Sequence, residues 1–385
     1  MNPIPDSRSA RTSLHVPLRF APLLALALLA GCRGEPQGPV EQQAEARDAD
    51  AAWIAPLADE VDAIDDAMPG DFGVVVARFG EQAGLLDRGD DRPWYLSSTV
   101  KVPVAIAILE EVDAGRLSLD EQVELQRSDF VDGAGDMLQH KAGERFSIAA
   151  LLEKSLRDSD STATDMLIRT LGEGHLDARI RDWVGSGFGP ITTIQQVRYD
   201  VYGPLHPGVA DLDNMEIVAL RNAGAGEPRL QALARALGVE RSELRTESLK
   251  AAFDDYYDSG TNAATLPAFA RMLERVAAGE LLSPESNDIL LSHMRAITTG
   301  GRRISAGLPA GTDFAQKTGT QLERACNVGI LDAGKGREGA TVVVACAEDF
   351  GELAQAEQAF QSLGQALGKL DASAAAGNSV AAATD

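Results

Sequence analysis

Strand-forming runs cluster near the two ends of this chain, and that placement limits what it can fold into. "FGVVVARF" at 72–79 and, far downstream, "RACNVGIL" at 324–331 and "ATVVVACA" at 340–347 are rich in β-branched residues and bounded by turn formers. The stretch between them, from Thr99 to about Gly260, reads mostly as helices, among them "SIAALLEKSLRD", "STATDMLIRTLG" and "PRLQALARALG". Trp53, Leu57, Val61, Ile64 and Met68 recur at helical spacing ahead of the first strand, with Pro69-Gly70 as a stop, and 348–370 closes as a long helix. Terminal strands that pair with each other make one antiparallel sheet, which helices must cover, with the helical insert packed beside it. The expected class is therefore α/β, as an α+β sandwich. A sheet lobe takes 52–95 and 262–370, a helical lobe takes 96–261, and a cleft lies between them.

The N-terminal residues read as an export signal. Arg8, Arg11 and Arg19 precede the short apolar run "FAPLLALALLAGC", too short to span a bilayer and ending in small residues. Leu29-Ala30-Gly31-Cys32 resembles the lipobox of bacterial lipoproteins, which implies a signal peptide over 1–31 and lipid attached to Cys32. The polar, proline-containing stretch 32–51 reads as a tether, and the Ala/Ser-rich 371–385 as a disordered tail. The expected location is outside the cytoplasm, anchored to a bacterial membrane. A net charge of −23 repels phosphates and argues against nucleic acid or a bare anionic bilayer as partner. With five His and three Cys and no paired ligand spacing, no metal and no other cofactor is expected. His140, His175, His206 and His293 are scattered and read as packing or surface residues. Export leaves Cys326 and Cys346 in an oxidising compartment. They lie on strand-like runs either side of "GKGREG", and a hairpin about that turn sets them opposite each other as a disulfide. The glycine-dense "GSGFG" at 185–189 lacks the context of a phosphate loop.

Chemistry enters at "LSSTVKVPVAIAIL". Ser98 and Lys101 are one helical turn apart where a polar stretch becomes apolar, so the amine reaches the hydroxyl as a base reaches its nucleophile. A helix start favours an oxyanion, and apolar neighbours make the amine lose its proton more readily. The same residues would also serve as a helix cap followed by a solvated lysine. A second motif, Lys317-Thr318-Gly319 with Thr320, arises by chance only about 0.03 times in a chain of this composition. A third, Ser159-Asp160-Ser161, opens a helix between them.

The order SxxK, SDN-like triad, KTG resembles the class A β-lactamases and penicillin-binding proteins, over roughly 53–370. That resemblance implies the fold shared by those lactamases and D-alanyl peptidases, and a small-molecule substrate, a β-lactam or a peptidoglycan-like peptide, handled by a monomer. It implies that Ser98 is acylated, Lys101 takes its proton, and Ser159 relays a proton to the leaving nitrogen. Lys317 stands across the cleft, Ser161, Thr318, Gly319 and Thr320 bind substrate, and the Ser98 and Thr320 N–H groups form the oxyanion hole. From its place shortly after KTG, Arg324 reads either as added positive charge for a substrate carboxylate or as a solvated strand residue. Two departures stand out. Ser161 replaces the usual Asn, and no E-x-x-L-N loop follows the triad. Glu153 to Leu156 fits only its first part and lies on the wrong side of Ser159. Arg198 stands close to where the water-activating Glu is expected, with Asp200 and Glu247 as possible substitutes. The segment 206–261 is longer than the family pattern. The resemblance therefore implies a serine β-lactamase-like hydrolase that opens β-lactam rings through a Ser98 acyl-enzyme or, since that Glu is absent, a penicillin-binding-type D-alanyl peptidase or related envelope serine hydrolase; the expectation is acylation followed by slow release.

Overall fold

The two ends of the chain meet in one five-stranded antiparallel sheet. In the computed structural model, which describes residues 51–381, the strands are β1 (Asp71–Arg78), β2 (Gly84–Arg88), β3 (Phe314–Gln321), β4 (Arg324–Leu331) and β5 (Thr341–Glu348). Their order is β2-β1-β5-β4-β3, with β1 and β5 in register from Asp71 opposite Glu348 to Arg78 opposite Thr341. The signal segment, Cys32, the tether up to residue 50 and residues 382–385 lie outside the described residues.

Both faces of the sheet are buried, which is why its strands read as continuous apolar runs. Alternate side chains divide between two cores, as a two-residue period requires. Phe72, Val74, Val76, Val343, Ala345 and Ala347 pack on α1 (Ile54–Ala67) and α12 (Leu353–Ala381). Val75, Ala77, Val342, Val344 and Cys346 face α10 (Leu266–Ala277) and share one core with α2 (Lys101–Asp113). The backbone of α12 is helical through the Ala/Ser-rich stretch to Ala381, where a disordered tail was expected. Alanine has the highest helix propensity, and the stretch carries no proline to end the helix.

α2 is apolar on nearly every side and is sunk among α3 (Ile148–Leu156), α4 (Ser161–Leu171), α5 (Glu173–Val184) and α11 (Pro284–Arg295). The main core nevertheless runs unbroken from Val75 through Ile106 and Leu167 to Val344. The chain's apolar interior therefore does not part at 95/96 or 261/262. A separate core does form inside 195–257, where Val197, Val201, Ile217, Leu230, Leu233 and Phe253 join α6 (Ile194–Tyr202), α7 (Asn214–Leu220), α8 (Glu227–Leu237) and α9 (Leu249–Tyr257). The long insert is thus a folded unit with its own hydrophobic contacts. Three-residue strands at Gln122–Glu124 and Arg145–Ser147 pair within the helical region, too short to leave a pattern in the sequence.

Cys326 and Cys346 sit directly opposite each other on β4 and β5 and are joined by a disulfide. Replacing both by Ala is expected to cost about 2–4 kcal/mol in denaturant unfolding, typical of a lost native crosslink. An unchanged midpoint together with free thiols in the wild-type protein would contradict the bond.

Candidate active site

The turn carrying Ser98 is held against the sheet's edge strand by the absence of a side chain. Ser97–Val100 form one 3-10 turn that runs into α2, with Ser97 in the left-handed region at φ 50°. Strand β3 passes so close that a Cβ on Gly319 would stand 2.7 Å from the Leu96 carbonyl oxygen and 2.7 Å from the Ser98 nitrogen. Only glycine lets the two backbones approach this far. The third residue of the KTG motif is therefore a steric requirement of the site.

Lys101 begins α2 and is fully buried. Its Nζ donates to the Ser159 carbonyl at 2.5 Å and lies 3.1 Å from Ser98 Oγ, 3.2 Å from Ser159 Oγ and 3.3 Å from Ser161 Oγ. Burial pulls its pKa down to about 7, against the pull of the Asp160 and Asp165 carboxylates. Lys317, on β3, is also fully buried. Its Nζ donates to Ser159 Oγ at 2.8 Å and to the Thr318 carbonyl at 2.9 Å. Burial, then the charges of Lys101 and Arg303, hold it well below the ordinary lysine range. One hydroxyl, Ser159 Oγ, is thus shared by two amines, each disfavoured in its charged form.

Ser159 adopts φ 57°, a strained left-handed conformation that turns both its carbonyl and its hydroxyl toward Lys101. Asp160 fixes that strain in place. As N-cap of α4 it accepts from Ala163 N and, across the loop, from Met137 N, each at 2.9 Å. Gly133 and Gly135 leave room for this clip, since a Cβ on either would collide with Ser161 Oγ or the Asp160 carboxylate.

The remaining walls come from separate elements around a cleft of about 430 Å³. Thr318 Oγ1 lies 2.8 Å from Thr299 Oγ1. Arg303, a residue without a sequence motif, lies behind β3: Nη1 donates to the Gly319 and Cys326 carbonyls at 2.8 Å, and Nη2 to Thr320 Oγ1 at 2.5 Å. Burial lowers its pKa to about 10, with Glu357 opposing. Nothing in "TTGGRRISAG" marks it, because its role depends on how 299–307 folds across β3. Arg324, expected near a substrate carboxylate, faces elsewhere. It pairs with Asp349 at 3.0 Å and Glu348 at 3.4 Å, stacks on Tyr257, and does not line the cleft. As a β4 residue at the end of the β3–β4 hairpin it is drawn to the acidic end of β5.

Arg198 does line the cleft, from α6. Asp165 anchors that helix by accepting from Ile194 N at 2.7 Å and Gln195 N at 2.8 Å, with burial raising its own pKa to about 7. The Arg198 Nε donates to Asp132 Oδ1 at 2.5 Å; although burial opposes its charge, Asp132 raises its pKa, so the guanidinium stays protonated. The carboxylates suggested as substitutes lie off the cleft. Asp200 accepts from Gln196 beside a different cavity, Glu247 is exposed, and Glu153 pairs with Arg157 on the surface. Asp132 and Glu357 are the carboxylates that line the cleft, and each is paired with an arginine. Among the described residues, none of His140, His175, His206 and His293 contributes to it. Among the described residues no cluster of His, Cys, Asp or Glu is arranged to hold a metal.

This arrangement suits proton transfer from a serine hydroxyl to a neutral amine and on through a second serine. A model described as the beta-lactamase enzyme family matches residues 56–199 and 213–370. The chain is 25% identical over 263 residues to beta-lactamase CTX-M-97 of Escherichia coli, covering 68% of this chain and 70% of that protein. It is 25% identical over 266 residues to a beta-lactamase of Mycobacterium tuberculosis (69% and 69%). Among solved structures it resembles a PBP-A mutant as its acyl-enzyme complex with penicillin G, with a TM-score of 0.60, 19% identity, and coverage of 83% of this chain and 97% of that one. A beta-lactamase from Chitinophaga pinensis gives a TM-score of 0.61 at 19% identity over 82% and 99%.

Two outcomes are expected. The rate at which Ser98 is acylated rises with pH through an apparent pKa near 7, because the neutral Lys101 amine is the form that accepts a proton. A rate flat from pH 5.5 to 8.5 would contradict this. Gly319→Ala pushes β3 away from the Ser98 turn and lowers acylation roughly a hundredfold, the scale of an ångström-sized misplacement. Retained acylation in that variant, measured by intact mass, would show that the close approach is unnecessary.

Proposed function

The chain belongs to the beta-lactamase enzyme family, and from that premise we propose that it is a serine hydrolase acylated at Ser98 by β-lactam rings. The observation that carries the reading is the continuous contact from Ser98 Oγ through Lys101 Nζ to Ser159 Oγ and Lys317 Nζ. Ser98 Oγ attacks the lactam carbonyl as neutral Lys101 takes its proton. The oxyanion that forms is met by the N–H groups of Ser98 and Thr320. The C–N bond breaks as Ser159 gives a proton to the departing nitrogen, replaced from Lys101. Thr318 and Thr320, backed by Arg303, hold the substrate carboxylate, while Lys317 stays bonded to Ser159 Oγ behind them.

Release of the acyl group is slow in this reading. Water needs an activating base, and the carboxylates lining the cleft, Asp132 and Glu357, are tied up by Arg198 and by Arg302 at 2.8 Å. The same observation favours a second reading, a D-alanyl peptidase of the cell envelope for which lactams are slowly released inhibitors. The protein acts as a monomer, and its lipid anchor is Cys32, which keeps it on a membrane outside the cytoplasm.

Mixed with benzylpenicillin, the purified protein is expected to gain one adduct mass that persists well beyond the acylation phase, and Ser98→Ala to gain none. An adduct on Ser98→Ala, or none on the wild type, would contradict the nucleophile; rapid steady hydrolysis would contradict slow release. Cys32→Ala should move the protein from the membrane to the soluble fraction, and its staying on the membrane would end the lipid-anchor reading.

A further inference from the structure

The cleft holds a second arginine whose bonding is incomplete. Arg198 is only 7% exposed, yet Asp132 engages it through Nε at a single point, and its buried Nη1 has no acceptor. A guanidinium presents a planar fork of donors suited to a carboxylate, and leaving one buried donor unpaired is costly. Ile194 and Val197, its neighbours on α6, give the same wall an apolar surface that cannot supply the missing acceptor. Another wall, β3 with Arg303 behind it, seats the carboxylate on the leaving-group side of the scissile bond. The part of the substrate transferred to Ser98 then extends toward α6.

We propose that Arg198 reads an anionic group on the acyl portion of the substrate, so that the preferred acyl donors carry a carboxylate there besides the one held by β3. Asp132 holds the guanidinium in position before substrate arrives, and its charge sets how strongly a second anion is welcomed. The shortened residue at the triad, Ser161, leaves this wall without the side-chain amide that the resemblance expects, which makes Arg198 the strongest donor on the acyl side. The proposal deepens the Ser98 acylation reading and rests on it.

Benzylpenicillin and its α-carboxy analogue carbenicillin differ by one carboxylate on the acyl side. Second-order rates of Ser98 acylation, followed by time-resolved intact mass on the full chain at low ionic strength, give a ratio that cancels general damage to the site. The wild type is expected to favour carbenicillin about tenfold, the order of one charge-assisted contact. Arg198→Met should bring the ratio to one or below, and Asp132→Asn, which removes the competing charge, should raise it above the wild-type value. A wild-type ratio of one or less, or a preference that survives Arg198→Met, overturns the proposal. Should Arg198→Met fail to fold by circular dichroism, Asp132→Asn decides: a raised ratio supports the proposal and an unchanged one overturns it. Acylation by neither compound would instead overturn the Ser98 reading itself.

Discussion

Two buried lysine amines meet at one serine hydroxyl, and most of the fold serves to keep them there. Lys101 and Lys317 come from opposite ends of the chain, one from the first turn of the central helix and the other from the sheet's edge strand. Ser159 Oγ lies within 3.2 Å of the first and 2.8 Å of the second. Neither amine has a carboxylate within hydrogen-bonding distance among the described residues. The environment therefore resolves the conflict by disfavouring the charged forms. Lysine Nζ in its neutral form is a base, which a solvated lysine at pH 7 is not.

Such a site works against the stability of its own fold. The unfolded Lys101 amine keeps its proton up to about 10.5, whereas the folded one gives it up near 7. The penalty is full below about pH 7 and fades as pH rises toward 10.5, where the unfolded amine also becomes neutral. The strained Ser97 and Ser159 backbones add to it. Offsetting these terms are a central helix buried on nearly all sides, a sheet covered on both faces, and the Asp160 clip that ties the triad to the 133–137 loop. The site is rigid because every element that carries it is packed from behind.

Much of this was legible in the sequence, and the limits have physical causes. The paired terminal strands followed from where β-branched runs fall, and the opposition of Cys326 and Cys346 from symmetry about one turn. Ser98, Lys101, Ser159 and Lys317 announced themselves through motifs because local spacing fixes each of their elements. Arg303 and Asp132 carry no such signal: they reach the cleft through loops whose course depends on tertiary contacts. Arg324 misled for the same reason in reverse, since closeness to KTG along the chain placed it beside the acidic end of β5 and not in the cleft. The alanine-rich end shows composition pointing two ways, as low complexity and as high helix propensity.

The central claim, that the fold makes Lys101 a base at neutral pH, is open to direct measurement. In protein labelled with 13C at lysine Cε, one resonance should titrate near pH 7 and vanish in Lys101→Met. If the resonance lost in that variant titrates near 10 with the surface lysines, the amine is protonated at working pH and the account is wrong.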